Sequence, residues 1–121
     1  MALFAFDIDG CADAYPREFQ AIMQALRSAG NTVQVVTGTH DSPVTQTDLD
    51  EKAQYLESLG LGECYDKLVV ISHPTGDVSQ MKADYLQSVG ANCLFDNDLS
   101  NAVSVTAAGI LVLVPWSSRQ K

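Results

Sequence analysis

Five short apolar runs punctuate the chain: Ala2–Phe6, Val33–Val36, Leu68–Ile71, Cys93–Phe95 and Ile110–Val114. Each is bounded by turn residues and is largely continuous rather than alternating, as in strands covered on both faces. Helical periods lie between them. Phe19, Ile22, Met23 and Leu26 fall on one face of a helix, and Pro16 suits its first turn. Leu49, Ala53, Leu56 and Leu59 repeat that spacing, and Thr47 with Asp50 predicts the cap. Val78, Met81, Tyr85 and Val89 predict a third helix capped by Asp77. Leu99, Ala102, Val103 and Thr106 predict a fourth. Gly30, Gly60, Gly90 and Gly109 each stand between a helix and the next strand, where a left-handed residue ends a helix.

This alternation predicts the α/β class: a mostly parallel sheet with helices on both faces and right-handed crossovers. No repeat or linker divides the chain, so residues 1–121 read as one domain. Ligands of such sheets bind beyond the carboxyl ends of the strands. Those ends are chemically rich. Asp7-Ile8-Asp9-Gly10 follows the first strand, Thr37-Gly38-Thr39-His40-Asp41 the second, Ser72-His73-Pro74 the third and Asp96-Asn97-Asp98 the fourth. Lys82, early in the third helix, falls within reach of the same rim.

Charge narrows the partners. Seven Lys and Arg oppose fifteen Asp and Glu, for a net charge of −8. Nucleic-acid polymers and anionic membranes are therefore not expected partners, and a phosphorylated substrate would need a local cation. No apolar run is long enough for a membrane span, and MALFAFDIDG reads as a strand rather than a signal peptide. Three cysteines without CxxC spacing argue against a disulfide framework and fit a reducing cytoplasm. His40 and His73 read as ordinary loop residues, and Trp116 as packing against a sheet edge or a subunit.

Carboxylates crowded at one rim stay ionised together only around a cation; otherwise one takes up a proton. Hard oxygen ligands point to Mg²⁺, which would bridge protein carboxylates and a substrate phosphate. Asp7 then reads as a nucleophile aimed at phosphorus, and Asp9 as a donor to the leaving oxygen or a base for water. Thr37 with the Gly38 amide would hold a phosphoryl oxygen, and Lys82 would supply positive charge.

The segments FAFDIDG, VQVVTG, Lys82 and CLFDNDLSNA, in this order, resemble the four motifs of the haloacid dehalogenase (HAD) superfamily of phosphohydrolases. The resemblance spans nearly the whole chain. It implies a three-layer Rossmann-like fold with a five-stranded parallel sheet in the order 5-4-1-2-3. It also implies a Mg²⁺-dependent phosphomonoester hydrolase working through an aspartyl-phosphate on Asp7, with Asp9 as general acid/base. Asp7, the Asp9 backbone carbonyl and Asp96 would hold the metal, with Asn97 as a further contact. Asn97 stands where the family commonly has a second acid, and Asp98 reads first as a helix cap. Only six residues separate Asp9 from Pro16, too few for the family's flap or a cap domain, so the expected form is minimal and capless. A small phosphorylated substrate, or the terminal phosphate of a larger one, would reach an open site. An uncapped site and Trp116 leave homo-oligomerisation open.

The departures motivate an alternative, a phosphate- or metal-binding module with weak or no turnover. Receiver domains share the paired acids after strand one. They need an acceptor Asp after strand three, where Ser72 and His73 stand.

Overall fold

The computed structural model describes residues 1–74 and 78–115. Its strands are β1 (Leu3–Phe6), β2 (Thr32–Thr39), β3 (Lys67–Ser72), β4 (Cys93–Phe95) and β5 (Leu111–Leu113). Its helices are α1 (Pro16–Ser28), α2 (Gln46–Ser58), α3 (Val78–Ser88) and α4 (Leu99–Ala107). The sheet order is β3-β2-β1-β4-β5 and every pairing is parallel. This is the expected Rossmann-like order, read from the other edge. β1 lies at the centre, where the direction of winding reverses. Right-handed crossovers on either side of that reversal put α1 and α2 on one face and α3 and α4 on the other.

Two apolar cores result. Strand alternation sends Phe6, Val33 and Val35 to one face, where Phe19, Met23 and Leu56 cover them. Ala5, Val36 and Leu94 face the other way, under Ala83, Leu86 and Val105. Phe6 and Phe95 stack at 4.5 Å between centroids, and Phe19 meets both edge-on at 5.7 and 5.8 Å. These rings lock α1 onto β1 and β4. They stand one residue before Asp7 and Asp96 respectively, so apolar packing fixes the strand ends that carry both acids.

Several local expectations need correction. The cap of α2 is Thr45, not Thr47. Thr45 Oγ1 accepts the Asp48 N–H at 3.2 Å, and the Asp48 carboxylate accepts the Thr45 N–H at 2.8 Å. A complete capping box two residues upstream satisfies two free amides and starts the helix there. β2 continues through Thr37, Gly38 and Thr39, which pair with Val70, Ile71 and Ser72 of β3. Ladder hydrogen bonds, not apolarity, set that strand end.

The inward faces of α3 and α4 also differ from the apolar stripes. Met81 on α3 and Val89 just past its end are exposed, while Ser79, Lys82, Ala83 and Leu86 are buried. On α4, Leu99 and Val103 are 63% and 71% exposed, and Asn101 and Val105 are buried. Both helices are phased by polar residues that reach the sheet's rim, and apolar residues one or two positions away turn outward. The Asp77 cap and Trp116 lie outside the described residues. Among those residues, no helix is long and apolar enough to cross a membrane.

Val105→Ala should therefore cost about 1–3 kcal/mol, in the range for large-to-small changes in a core. Val103→Ala should stay within about 0.5 kcal/mol, as for an exposed position. Urea unfolding of both variants checks this, and equal losses would put α4 in the wrong phase.

Candidate active site

The Asp7 N–H bonds to the Phe95 carbonyl at 2.9 Å, and the Asp96 N–H to the Leu113 carbonyl at 3.2 Å. Both acids thus continue the sheet's bonding past the ends of β1 and β4, and their side chains share one volume. Between them lies Lys82. Its Nζ is 3.2 Å from Asp7 Oδ1 and 3.0 Å from Asp96 Oδ2, and the side chain is 2% exposed. Asp96 is wholly buried, and both its oxygens are engaged. Oδ2 also accepts from Asn101 Nδ2 at 2.9 Å, and Oδ1 accepts the Asp98 N–H at 2.9 Å.

One ammonium therefore serves two buried carboxylates. Burial pushes the Asp7 carboxyl up, the Lys82 charge opposes it, and the Asp96 charge adds to it; the result is a pKa raised from 3.8 to about 7. Burial alone would lower the Lys82 ammonium. The two carboxylates and their hydrogen bonds outweigh that, so its pKa lies above the ordinary value. The surplus is one negative charge.

After Asp7 the backbone makes one wide turn. Ala12 N–H bonds to the Asp7 carbonyl at 3.3 Å and Asp13 N–H to the Ile8 carbonyl at 3.1 Å. Asp9 breaks helical geometry with ψ 121°, and its exposed side chain faces the rim. Gly10 follows at φ 72°, against the Asn97 side chain. A Cβ there would strike Asn97 and strain the backbone, so glycine lets the two loops touch. Asp13 braces the turn: it accepts the Gly10 N–H at 2.8 Å and the Tyr55 hydroxyl at 2.8 Å. Cys11, in the same turn, is buried. Its thiol is pushed far up by burial and then by the Asp7 and Asp96 charges, so it is no nucleophile.

A cavity of about 680 Å³ opens over these strand ends. Asp7, Asp9, Thr37, Gly38, Lys82 and Asn97 all line it; Asp96 lies beneath, reached through Lys82 and Asn101. Thr37 and Gly38 reach it because β2 outruns β1, whose pairing ends at Phe6–Val35. Asp98 also borders the cavity, and it caps α4, accepting the Ser100 and Asn101 N–H groups at 2.8 and 3.2 Å. Sequence reasoning missed Asn101 and Lys52 as lining residues; it placed His40 and His73 at the rim but read them as ordinary loop residues. Asn101 carried no signal, because the apolar stripe assigned α4 a different inner face.

Among the described residues, no three His, Cys, Asp or Glu side chains converge as a metal cluster. Mg²⁺ bound with a phosphate uses only one or two protein carboxylates, so that count does not disqualify it. Asp7 faces the cavity as an oxygen donor and the pair carries a surplus negative charge, which fits a hard divalent cation; Asp96 would have to exchange a contact with Lys82, Asn101 or the Asp98 N–H to join it.

No protein-family model matches the chain, and no curated protein matches it. Solved structures do. The universal stress protein from Archaeoglobus fulgidus in complex with dAMP shares 16% identity at TM-score 0.62, covering 94% of this chain and 97% of that one. The D,D-heptose 1,7-bisphosphate phosphatase from B. bronchiseptica, complexed with magnesium and phosphate, shares 18% identity at TM-score 0.59, over 94% of this chain and 80% of that one. An uncharacterized Corynebacterium glutamicum protein reaches TM-score 0.65 at 14% identity, over 97% and 86%. At these identities the likeness shows the α/β fold alone.

Two predictions follow from the buried charges. Lys82→Met leaves two carboxylates without their cation and should cost about 3–5 kcal/mol by urea unfolding at neutral pH; a loss below about 1 kcal/mol would mean that the triad is not formed. The folded-state pKa of Asp7 lies above its unfolded value, so its stabilising contribution is complete below pH 3.8 and is lost as pH rises through about 7. In EDTA, Asp7→Asn should therefore gain stability relative to the parent as pH rises across that window. A pH-independent difference in Tm would contradict it.

Proposed function

We propose that the chain is a single HAD-like domain that hydrolyses phosphate monoesters with Mg²⁺ through an aspartyl-phosphate. The observation that carries this reading is the Asp7–Lys82–Asp96 triad at the strand ends, beneath a cavity that also exposes Asp9 and Thr37. Mg²⁺ held by Asp7, the Asp9 carbonyl and Asp96, with Asn97 beside them, would neutralise charge on the phosphoryl group.

The chain's own residues do the rest. A phosphoryl oxygen sits against the Thr37 hydroxyl and the backbone of Gly38. Lys82 holds the Asp7 carboxylate in place and offsets charge on the transferred group. One Asp7 oxygen attacks phosphorus; the P–O bond to the leaving group breaks as the Asp7 O–P bond forms. Asp9, protonated, gives its proton to the leaving oxygen. Ionised, it then takes a proton from water, whose oxygen attacks phosphorus and releases the Asp7 carboxylate and phosphate. Asp9 is exposed on its turn, as a group that exchanges protons with solvent must be. The phosphatase complexed with magnesium and phosphate lends the reading support at the level of the fold.

A second reading is a ligand-binding module with weak turnover. Asn97 in place of an acid favours it, as does the fold shared with a stress protein in complex with dAMP.

The test is hydrolysis of p-nitrophenyl phosphate with Mg²⁺ and with EDTA. Asp7→Asn keeps the shape of the side chain and removes the nucleophile, so kcat/KM should fall by about a thousandfold or more. Activity that survives EDTA or Asp7→Asn overturns the mechanism. Binding of Mg²⁺ and phosphate by calorimetry, without turnover on a broad phosphate panel, establishes the module instead.

A further inference from the structure

The walls of the cavity differ in charge. Asp7, Asp9, Asn97 and Asp98 form the side over β1 and β4. Over β2, β3 and α2 stand His40, His73 and Lys52. The chain has four lysines and two histidines, and two of those lysines and both histidines line this one cavity. In a protein of net charge −8, that concentration opposes the surrounding field locally.

None of these three groups makes an ion pair among the described residues, although the His40 charge acts on the adjacent Asp41. Among the described residues Lys52 makes no direct ion pair; it exerts only a Coulombic pull on Asp48, whose carboxylate is held by Thr45. Lys82, by contrast, is already paired with two carboxylates at the reacting end of the cavity. The imidazoles of His40 and His73 meet at 4.6 Å between centroids, near edge-on. His73 is seated directly over Gly38, where a Cβ would collide with its ring, and its backbone N–H donates to the Thr39 carbonyl at 2.9 Å. Its Nδ1 is buried with no hydrogen-bond partner among the described residues.

We propose that His40, His73 and Lys52 form a subsite for a second anionic group of the substrate, so that the preferred substrate is a phosphomonoester with a phosphate or carboxylate at its other end. This rests on the phosphatase reading: the reacting phosphoryl group lies over Asp7 and Thr37, and the distal anion lies toward β3. The subsite orients the substrate without taking part in bond changes. It supplies the attraction that an open, acidic rim otherwise lacks.

The experiment compares an alkanediol bisphosphate, a phosphorylated hydroxy acid and an alkyl monophosphate of equal chain length, with Mg²⁺. The bisphosphate or the phospho-acid should exceed the monophosphate in kcat/KM by about tenfold or more, and whichever leads identifies the distal group. In Lys52→Met and in His73→Gln that ratio should fall toward one, mainly through KM. A ratio near one in the parent chain, or a ratio unchanged in both variants, overturns the subsite. Calorimetry of the bisphosphate and the monophosphate on Asp7→Asn reads the same preference without turnover. Tighter bisphosphate binding there upholds the subsite even if hydrolysis fails, and equal binding rejects it even if hydrolysis succeeds.

Discussion

Two carboxylates and one ammonium share a volume from which water is nearly excluded, and much of the molecule is arranged around that fact. Lys82 must point inward, because an isolated buried acid at either strand end would be costly. α3 is therefore phased with Lys82, Ala83 and Leu86 facing the sheet, and Met81 is turned out. α4 obeys the same demand. Asn101 reaches Asp96, Val105 follows it into the core, and Leu99 and Val103 are left in solvent. The triad thus sets the rotation of two helices, and apolar packing accommodates it.

Apolar packing in turn gives the triad its precision. The Phe6–Phe95 stack and the edge of Phe19 fix the ends of β1 and β4 one residue before the acids. Rigid strands hold the functional groups, while the loops that approach them are tight. Gly10 and Gly38 are the points of contact: one admits Asn97, the other His73. A side chain at either glycine would push a cavity wall away from the acids. Charge completes the design, since the buried surplus that raises Asp7 is what a divalent cation or a proton would relieve.

The fold itself does not choose a chemistry. Structures of similar topology include a stress protein in complex with dAMP and a phosphatase complexed with magnesium and phosphate. An open parallel sheet with its winding reversed at the centre offers a crevice whose chemistry the topology does not specify. In this chain that crevice holds two acids bridged by a buried lysine on one side and, on the other, two histidines and a lysine that makes no ion pair among the described residues.

The five strands, four helices and their alternation were legible in the sequence, because apolar runs and helical periods report directly on burial. The rim was legible too: Asp7, Asp9, Thr37, Gly38, Lys82 and Asn97 follow strands or open helices in the linear order, and topology delivers them to one cavity. Helix phase was not legible. Apolarity was the signal read along α3 and α4, whereas the buried faces there are set by Lys82 and Asn101 reaching a charge about fourteen and five residues away in sequence. Lys52, His40 and His73 were invisible as a group for a related reason. They come from three separate segments and converge only when β2 and β3 pair. Sequence fixes which residues seek burial and where the chain must turn; only the assembled sheet decides which polar groups meet, because such pairings are stabilised by partners that no local pattern records.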